Sequence, residues 1–237
     1  MNSSARARPS TAFQPFNPEG FFFVRTSKKM TSRQISDKII CRIVINPRFR
    51  ILSNPSKEAT MLQHLNAIKQ IFSDKNALEL MQLNPGASEE ELLELERHLG
   101  VTLPADFKEY LSVHNGQQGQ DGMIFNEPLL SIEQIKDEWT TWYEIGEDGT
   151  MNDDCAEFMS ANPVGHVKPM YTNPKWIPFT HDGGGNHIGI DLDPDVKGTL
   201  GQVIIFGRDE DEKSVMATSF TEFLATVVHH LKNQVDG

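Results

Sequence analysis

Residues 173–206, NPKWIPFTHDGGGNHIGIDLDPDVKGTLGQVIIF, leave this chain few choices of fold. Ile188, Ile190 and Leu192 alternate with His187, Gly189, Asp191 and Asp193. That period of two belongs to a strand with one face buried and one in water. The water-facing row should therefore be acidic. Asp193-Pro194 starts a turn and Gly198 supplies positive φ, after which GQVIIFG runs as a second, more apolar strand. NPKWIPF reads as a further strand, joined to the hairpin through DGGGN.

Around this sheet the sequence spells helices. Met61, Leu62, Leu65, Ile68 and Phe72 mark one apolar face, and a short apolar run, NALELMQL, stops at Asn84-Pro85-Gly86. Ser88 and Glu91 form a capping-box pattern before Leu92, Leu95 and Leu99, and Gly100 supplies a stop. Pro104 opens a helix carrying Phe107, Tyr110 and Leu111, which closes at Asn115-Gly116. GMIFNEPLL reads as a short strand and turn. Ser131 and Gln134 cap a helix with Ile132, Ile135, Trp139 and Trp142 on one side. SVMATS reads as a strand, and Ser219 with Glu222 caps a last helix whose Phe220, Phe223, Leu224, Val227, Val228 and Leu231 share a face. Residues 146–174 lack periodicity and read as the longest loop, a natural place for variable contacts. The fold class expected is α+β: a mostly antiparallel sheet of five or six strands with helices packed against it.

Charge divides the chain. Residues 1–50 hold ten Lys/Arg against two Asp/Glu, although the formal charge of the whole is −11. The remainder is strongly acidic. An acidic surface repels phosphate and steers basic partners, so direct nucleic-acid binding is not expected, and a plainly solvated face is the alternative to a partner site. SARARPST is rich in Arg and Ser and poor in acid, like a transit peptide, yet no clear amphipathic helix follows it. Residues 1–50 are expected to be a disordered extension or sequence upstream of the true start, with Met30 and Met61 as alternative starts. Residues 51–83 should form a leading helical segment and 84–237 the main domain. No run approaches the ~18 consecutive apolar residues of a membrane span. Two cysteines, Cys41 and Cys155, make no disulfide framework, so a reducing, cytoplasmic setting is expected.

Catalytic and cofactor motifs are not found. The loop Asp182-Gly183-Gly184-Gly185-Asn186 is followed neither by Lys-Ser/Thr nor by a helix, as a phosphate cradle requires. Asp191, Asp193 and Asp195 open with the spacing of a calcium loop. Val196 then stands at the glycine position, Gln202 at the glutamate position, and Pro194 interrupts, so no metal site is expected. No HExxH or GxSxG occurs, and Cys155 with a distant His166 is thin support for a nucleophile and base. Trp139, Trp142 and Trp176 are expected in the core.

NPKWIPF, DGGGNHIGIDLDP, KGTLGQVI and FGRD, with VTLPADFKEYLSVHNG upstream and ATSFTEFL downstream, resemble the SUKH superfamily of Smi/Knr type. The resemblance runs from about Asn84 to Leu231, in the family's order. It implies a non-enzymatic protein-binding domain, in one of two roles. The first is an immunity-type protein that binds and neutralises a toxin, with the acidic rim facing a basic toxin domain. The second is a regulatory scaffold linked to cell-wall synthesis, as in the fungal branch. Family membership carries over no catalytic residues. Candidate partner contacts are Asp182, Asp191, Asp193 and Asp195 on the glycine loop and hairpin, Glu147 and Asp148 in the long loop, and Tyr143 and Tyr171 beside it.

Overall fold

Serine and threonine caps set where the helices begin. The computed structural model describes residues 59–119 and 121–233, so the basic extension lies outside the described residues. Helix α1 (Met61–Asp74) starts at Thr60, α3 (Glu89–Leu99) at Ser88 and α5 (Ile132–Gly146) at Ser131, each with a complete capping box. Helix α2 (Leu78–Met81) is one turn, and α4 (Ala105–Val113) follows Pro104. In α7 (Phe220–Asn233) the Ser219 hydroxyl accepts from Glu222 N at 3.1 Å, while the Glu222 carboxylate reaches back to Thr218 N at 3.0 Å. The reciprocal half of the cap is therefore made one residue earlier than the spacing implies.

Five strands, β1 (Ser160–Asn162), β2 (Trp176–Pro178), β3 (Asn186–Asp191), β4 (Gln202–Gly207) and β5 (Glu212–Ala217), form one sheet in the order β1-β5-β4-β3-β2. All neighbours are antiparallel except β1 with β5. The fold is α+β, as expected.

Register decides which side chains share a face. Ile188 lies opposite Ile205 and Ile190 opposite Val203, and these join Phe107, Phe179, Phe220 and Phe223 in the main core. Helix α1 belongs to the same core through Met61, Leu65, Ile68 and Phe72, and packs against α7 and α4. On the opposite face His187 pairs with Phe206, Gly189 with Ile204 and Asp191 with Trp176. That face was expected in water and is not. Trp142 of α5 and Val167 cover Trp176, Ile204 and Phe206 in a second apolar cluster, so His187, Gly189 and Asp191 are buried as well. The alternation in the sequence is real, but it separates two buried faces of different polarity.

Two other expectations change. GMIFNEPLL makes only the isolated bridges Ile124–Glu127 and Leu129–Thr180. Phe125 and Asn126 adopt φ of 49° and 65°, a left-handed pair that folds the segment back on itself instead of extending it. The region read as one long loop, 146–174, contains α6 (Thr150–Cys155) and the edge strand β1. Helix α6 buries no residue, so it leaves no apolar period to read.

Candidate protein-interaction surface

The acidic residues of the hairpin do not form one rim. Strand β3 has six residues, ~20 Å at ~3.3 Å each, and it separates Asp182 at its start from Asp193 and Asp195 beyond its end. Asp191 is fully buried. Its Oδ2 accepts from Gln202 Nε2 at 2.8 Å and its Oδ1 from Asp193 N at 2.9 Å, and burial raises its carboxyl above the usual range. It ties the hairpin base together and cannot meet a partner. Asp193 is bonded to Lys168 Nζ at 2.6 Å and to Asn173 Nδ2 at 3.0 Å. Burial opposes its ionisation, yet the Lys168 and Asn173 bonds and the charges of Lys168 and Lys175 together outweigh that and lower its pKa. Asp195, half-buried, accepts from Val196 N at 2.8 Å. The three carboxylates of the calcium-like spacing thus have separate partners. Among the described residues no group of three or more His, Cys, Asp or Glu is placed to hold a metal ion.

At the other end of the sheet the acids do converge. Asp182 folds the glycine loop around its own carboxylate, which accepts from Gly184 N at 2.6 Å, Asn186 N at 3.0 Å and Asn186 Nδ2 at 2.7 Å. Burial works against this carboxylate, but those donors prevail and hold its pKa below the usual value. The β4–β5 turn, Arg208–Asp211, is laced to the loop by Arg208 N to Gly185 O at 3.0 Å and Asp209 N to Asn186 Oδ1 at 2.9 Å. Gly207 allows this approach: a Cβ there would lie 2.5 Å from Asn186 Cα and from Gly185 O. Asp182, Asp209 and Asp211 are exposed and Glu210 is half-buried beside them. The reading from sequence missed this turn, although RDEDE between two apolar strands was there to be seen.

Burial shifts several titratable groups behind this end, and the nearby carboxylates add to it for the acids. Burial, followed by the charges of Asp182 and Glu210, pushes the Glu127 carboxyl up to about 7 despite its 2.5 Å hydrogen bond from Thr180 Oγ1. Burial and the neighbouring carboxylates of Asp182, Asp209 and Asp211 also raise Glu210. Lys213 is completely buried, its Nζ donating to the Glu210 carbonyl and lying 5.9 Å from the Tyr171 ring centre, and burial lowers its pKa to about 8. His187 Nδ1 lies 2.8 Å from Thr180 O and its Nε2 lies 3.7 Å from Glu138. Burial leaves that imidazole below its ordinary pKa.

A pH effect on stability follows from Glu127. Between the ordinary carboxyl value of 4.5 and about 7 the folded state binds this proton more tightly than the unfolded chain. Stability should therefore fall as pH rises through that window and level off above it. Glu127→Gln keeps an acceptor for Thr180 and removes the charge. It should stabilise the protein by about 2 kcal/mol at pH 8 and be near neutral at pH 4.5, as read by urea denaturation at both values. Equal effects at the two pH values would show that Glu127 is not the group that titrates.

The tyrosines and the remaining acids sit along α5. Tyr143 is 41% exposed and stacks on Trp139 at 5.1 Å between ring centres. Tyr171 is half-buried between Trp142 and Lys213, so it offers an edge rather than a face. Glu147 and Asp148 are exposed just past α5, where Asp148 accepts from Thr150 N at 2.9 Å and starts α6. None of the described helices is long and apolar enough to cross a membrane.

Comparison with known proteins gives fungal relatives. The "Cell wall biosynthesis/cell cycle regulator smi1" of Schizosaccharomyces pombe is 39% identical over 173 residues, 68% of this chain and 34% of that protein. A "Glucan synthesis regulatory protein" of Neurospora crassa is 31% identical over 195 residues, covering 68% of this chain and 37% of the relative. The "Cell wall assembly regulator SMI1" of Saccharomyces cerevisiae is 27% identical over 182 residues, 63% of this chain and 36% of the relative. The chain thus spans about a third of the length of these relatives. All three relatives are named as regulators, and none as a toxin-neutralising protein. The family model for "SMI1 / KNR4 family (SUKH-1)" matches residues 86–226, from the turn before α3 into α7, and the chain belongs to that family.

Proposed function

We propose that this chain is a non-enzymatic protein-binding module that takes part in regulating cell-wall synthesis, and that the acidic end of its sheet receives a basic segment of a partner protein. The observation that carries the reading is the convergence of Asp182, Asp209, Glu210 and Asp211 on one loop pair held by backbone hydrogen bonds. A rigid frame of like charges is costly by itself and favourable to a cation that relieves it. Burial is the main cause of the raised carboxyls of Glu127 and Glu210, and the neighbouring carboxylates add to it. Tyr143 on α5 and Glu147 and Asp148 just past its end are secondary contacts, and Asp193 and Asp195 contribute less because Lys168 already neutralises one of them. The names of the fungal relatives supply the cellular context.

The test is a chimera in which this chain replaces the matching region of the Schizosaccharomyces pombe relative, in cells lacking their own copy. Growth under cell-wall stress should be restored by the parent chimera and lost in Asp209→Lys/Asp211→Lys. In vitro, that double reversal should slow association with the partner recovered from those cells about tenfold at low salt and change dissociation little. Full rescue by the reversed chimera, with unaltered association, would remove the acidic end from the function.

A further inference from the structure

Three buried side-chain polar atoms lack a hydrogen-bond partner among the described residues, and the opposing helix meets one of them, His187 Nε2, with a carboxylate. The His187 ring is buried under α5, edge-on to Trp142 at 6.1 Å and 5.5 Å from Phe206. Its Nδ1 lies 2.8 Å from Thr180 O, and a carbonyl oxygen only accepts, so Nδ1 holds the proton of the neutral ring. Nε2 is then a bare acceptor. Opposite it at 3.7 Å stands Glu138 Oε2 of α5, a second acceptor, on a side chain 35% exposed to water. Two acceptors aimed at one another leave the buried one unsatisfied, and a single proton between them makes a charge-assisted bond.

We infer that His187 and Glu138 form a one-proton latch between β3 and α5, closed when solvent delivers a proton to Nε2 and open when the pair is bare. Trp142 follows Glu138 by four positions and so shares its face of α5, which places the latch beside the ring that covers this side of the sheet. The same helix carries Tyr143 and leads to Glu147 and Asp148, so the latch sets how firmly that exposed end of α5 is seated. The titratable and charged groups facing His187 are Glu138 from α5 and Asp182 and His181 from the loop before β3, with Glu127 behind Thr180. Its ring neighbours Phe206 and Trp142 are uncharged. Burial lowers the pKa of the imidazole, the Thr180 bond and the charges of Glu138 and Asp182 raise it in part, and His181 lowers it again. Protonation therefore belongs below the ordinary value of 6.5, where the unfolded chain takes up the proton first and overall stability falls. The latch closes only in acid. It does not depend on the acidic end of the sheet receiving a partner.

Imidazole nitrogen shifts of the full chain, read by long-range proton–nitrogen correlation from pH 8 to pH 4.5, test the latch. The parent should show Nδ1–H and a bare Nε2 at pH 8. The backbone amides of Glu138, Trp139 and Trp142 should then shift with the midpoint at which Nε2 takes its proton. Glu138→Gln presents an amide N–H to Nε2 and satisfies it without a proton. That variant should raise the thermal midpoint by a few degrees at pH 8, lose the advantage as pH falls, and move the His187 midpoint about one pH unit toward acid. Glu138→Asp, which keeps the charge, should bring the His187 midpoint back toward that of the parent. His114, at the end of α4, is the reference and should titrate alike in all three proteins. The opposite tautomer at pH 8, a ring that stays neutral to pH 4.5, α5 amides that ignore the titration, or a His187 midpoint unmoved in Glu138→Gln would each overturn the proposal.

Discussion

Gly189→Ala is expected to destabilise the protein by ~3 kcal/mol or more, the range in which a single substitution signals a steric or core defect. Gly189 sits in the middle of β3, opposite Pro178 and Ile204. A Cβ there would fall 2.6 Å from the Ile177 carbonyl oxygen and 2.6 Å from Phe206 Cε1. Neither neighbour can yield easily. The carbonyl belongs to the adjacent strand, and the Phe206 ring is held between Trp176 at 5.5 Å, His187 at 5.5 Å and Trp142 at 6.3 Å. A glycine inside a strand normally weakens it, but here the missing side chain makes room for the second aromatic layer. Chemical denaturation should show a large drop in midpoint, together with loss of near-ultraviolet signal from Trp142 and Trp176. A change below about 1 kcal/mol would mean that the sheet relaxes around the methyl group without cost.

Phe220→Ala should cost ~3–5 kcal/mol, the usual range for emptying a large aromatic site in a core. Phe220 is fully buried at the first position of α7. Its ring lies 5.1 Å from Phe107, 5.1 Å from Tyr110, 5.3 Å from Phe179 and 6.2 Å from Phe223. It therefore joins α7 to α4 and to the end of β2, and its loss should loosen all three rather than fray one helix. The side-chain hydroxyl and backbone N–H of Thr221 add a second tie to α4 by donating to Asp106 at 2.9 and 2.8 Å. Thr221→Val should cost much less, because the polar contact is partly exposed to water and a net hydrogen bond contributes about 1 kcal/mol. Urea denaturation of both variants separates the aromatic contribution from the polar one. Similar losses for the two would place the strength of this junction in the Asp106 bonds.

Local signals were the legible ones. Three complete capping boxes stand where Ser or Thr precedes Glu or Gln by three residues, and two of these, at Ser88 and Ser131, were read directly. Capping depends on atoms within four residues, so no distant contact can hide it. The hairpin of β3 and β4 was legible for the same reason, through Asp193-Pro194 and Gly198. The family could also be read from several linked motifs that lie within the matched residues 86–226. The candidate surface was half legible: Asp182 was found, but its neighbours Asp209, Glu210 and Asp211 were not connected with it until β4 returned them to the glycine loop.

The amino-acid order alone thus settled the amphipathic helices, the hairpin, the α+β class and the family, since each rests on periodicity, on short-range hydrogen bonding or on linked motifs. Burial of a polar residue depends on what arrives from far along the chain, and only folding shows it. Asp191 belongs to an alternating strand and reads as a surface acid, yet Gln202 and the turn after it enclose its carboxylate. His187 reads as the outer row of the same strand until Trp142, 45 positions earlier, closes over that face at 6.1 Å between ring centres. A period of two says that two faces differ. Which of them meets water is decided by the helix that lands on it, and here α5 covers the polar one while Asp182, Asp209 and Asp211 stay exposed at the sheet's end.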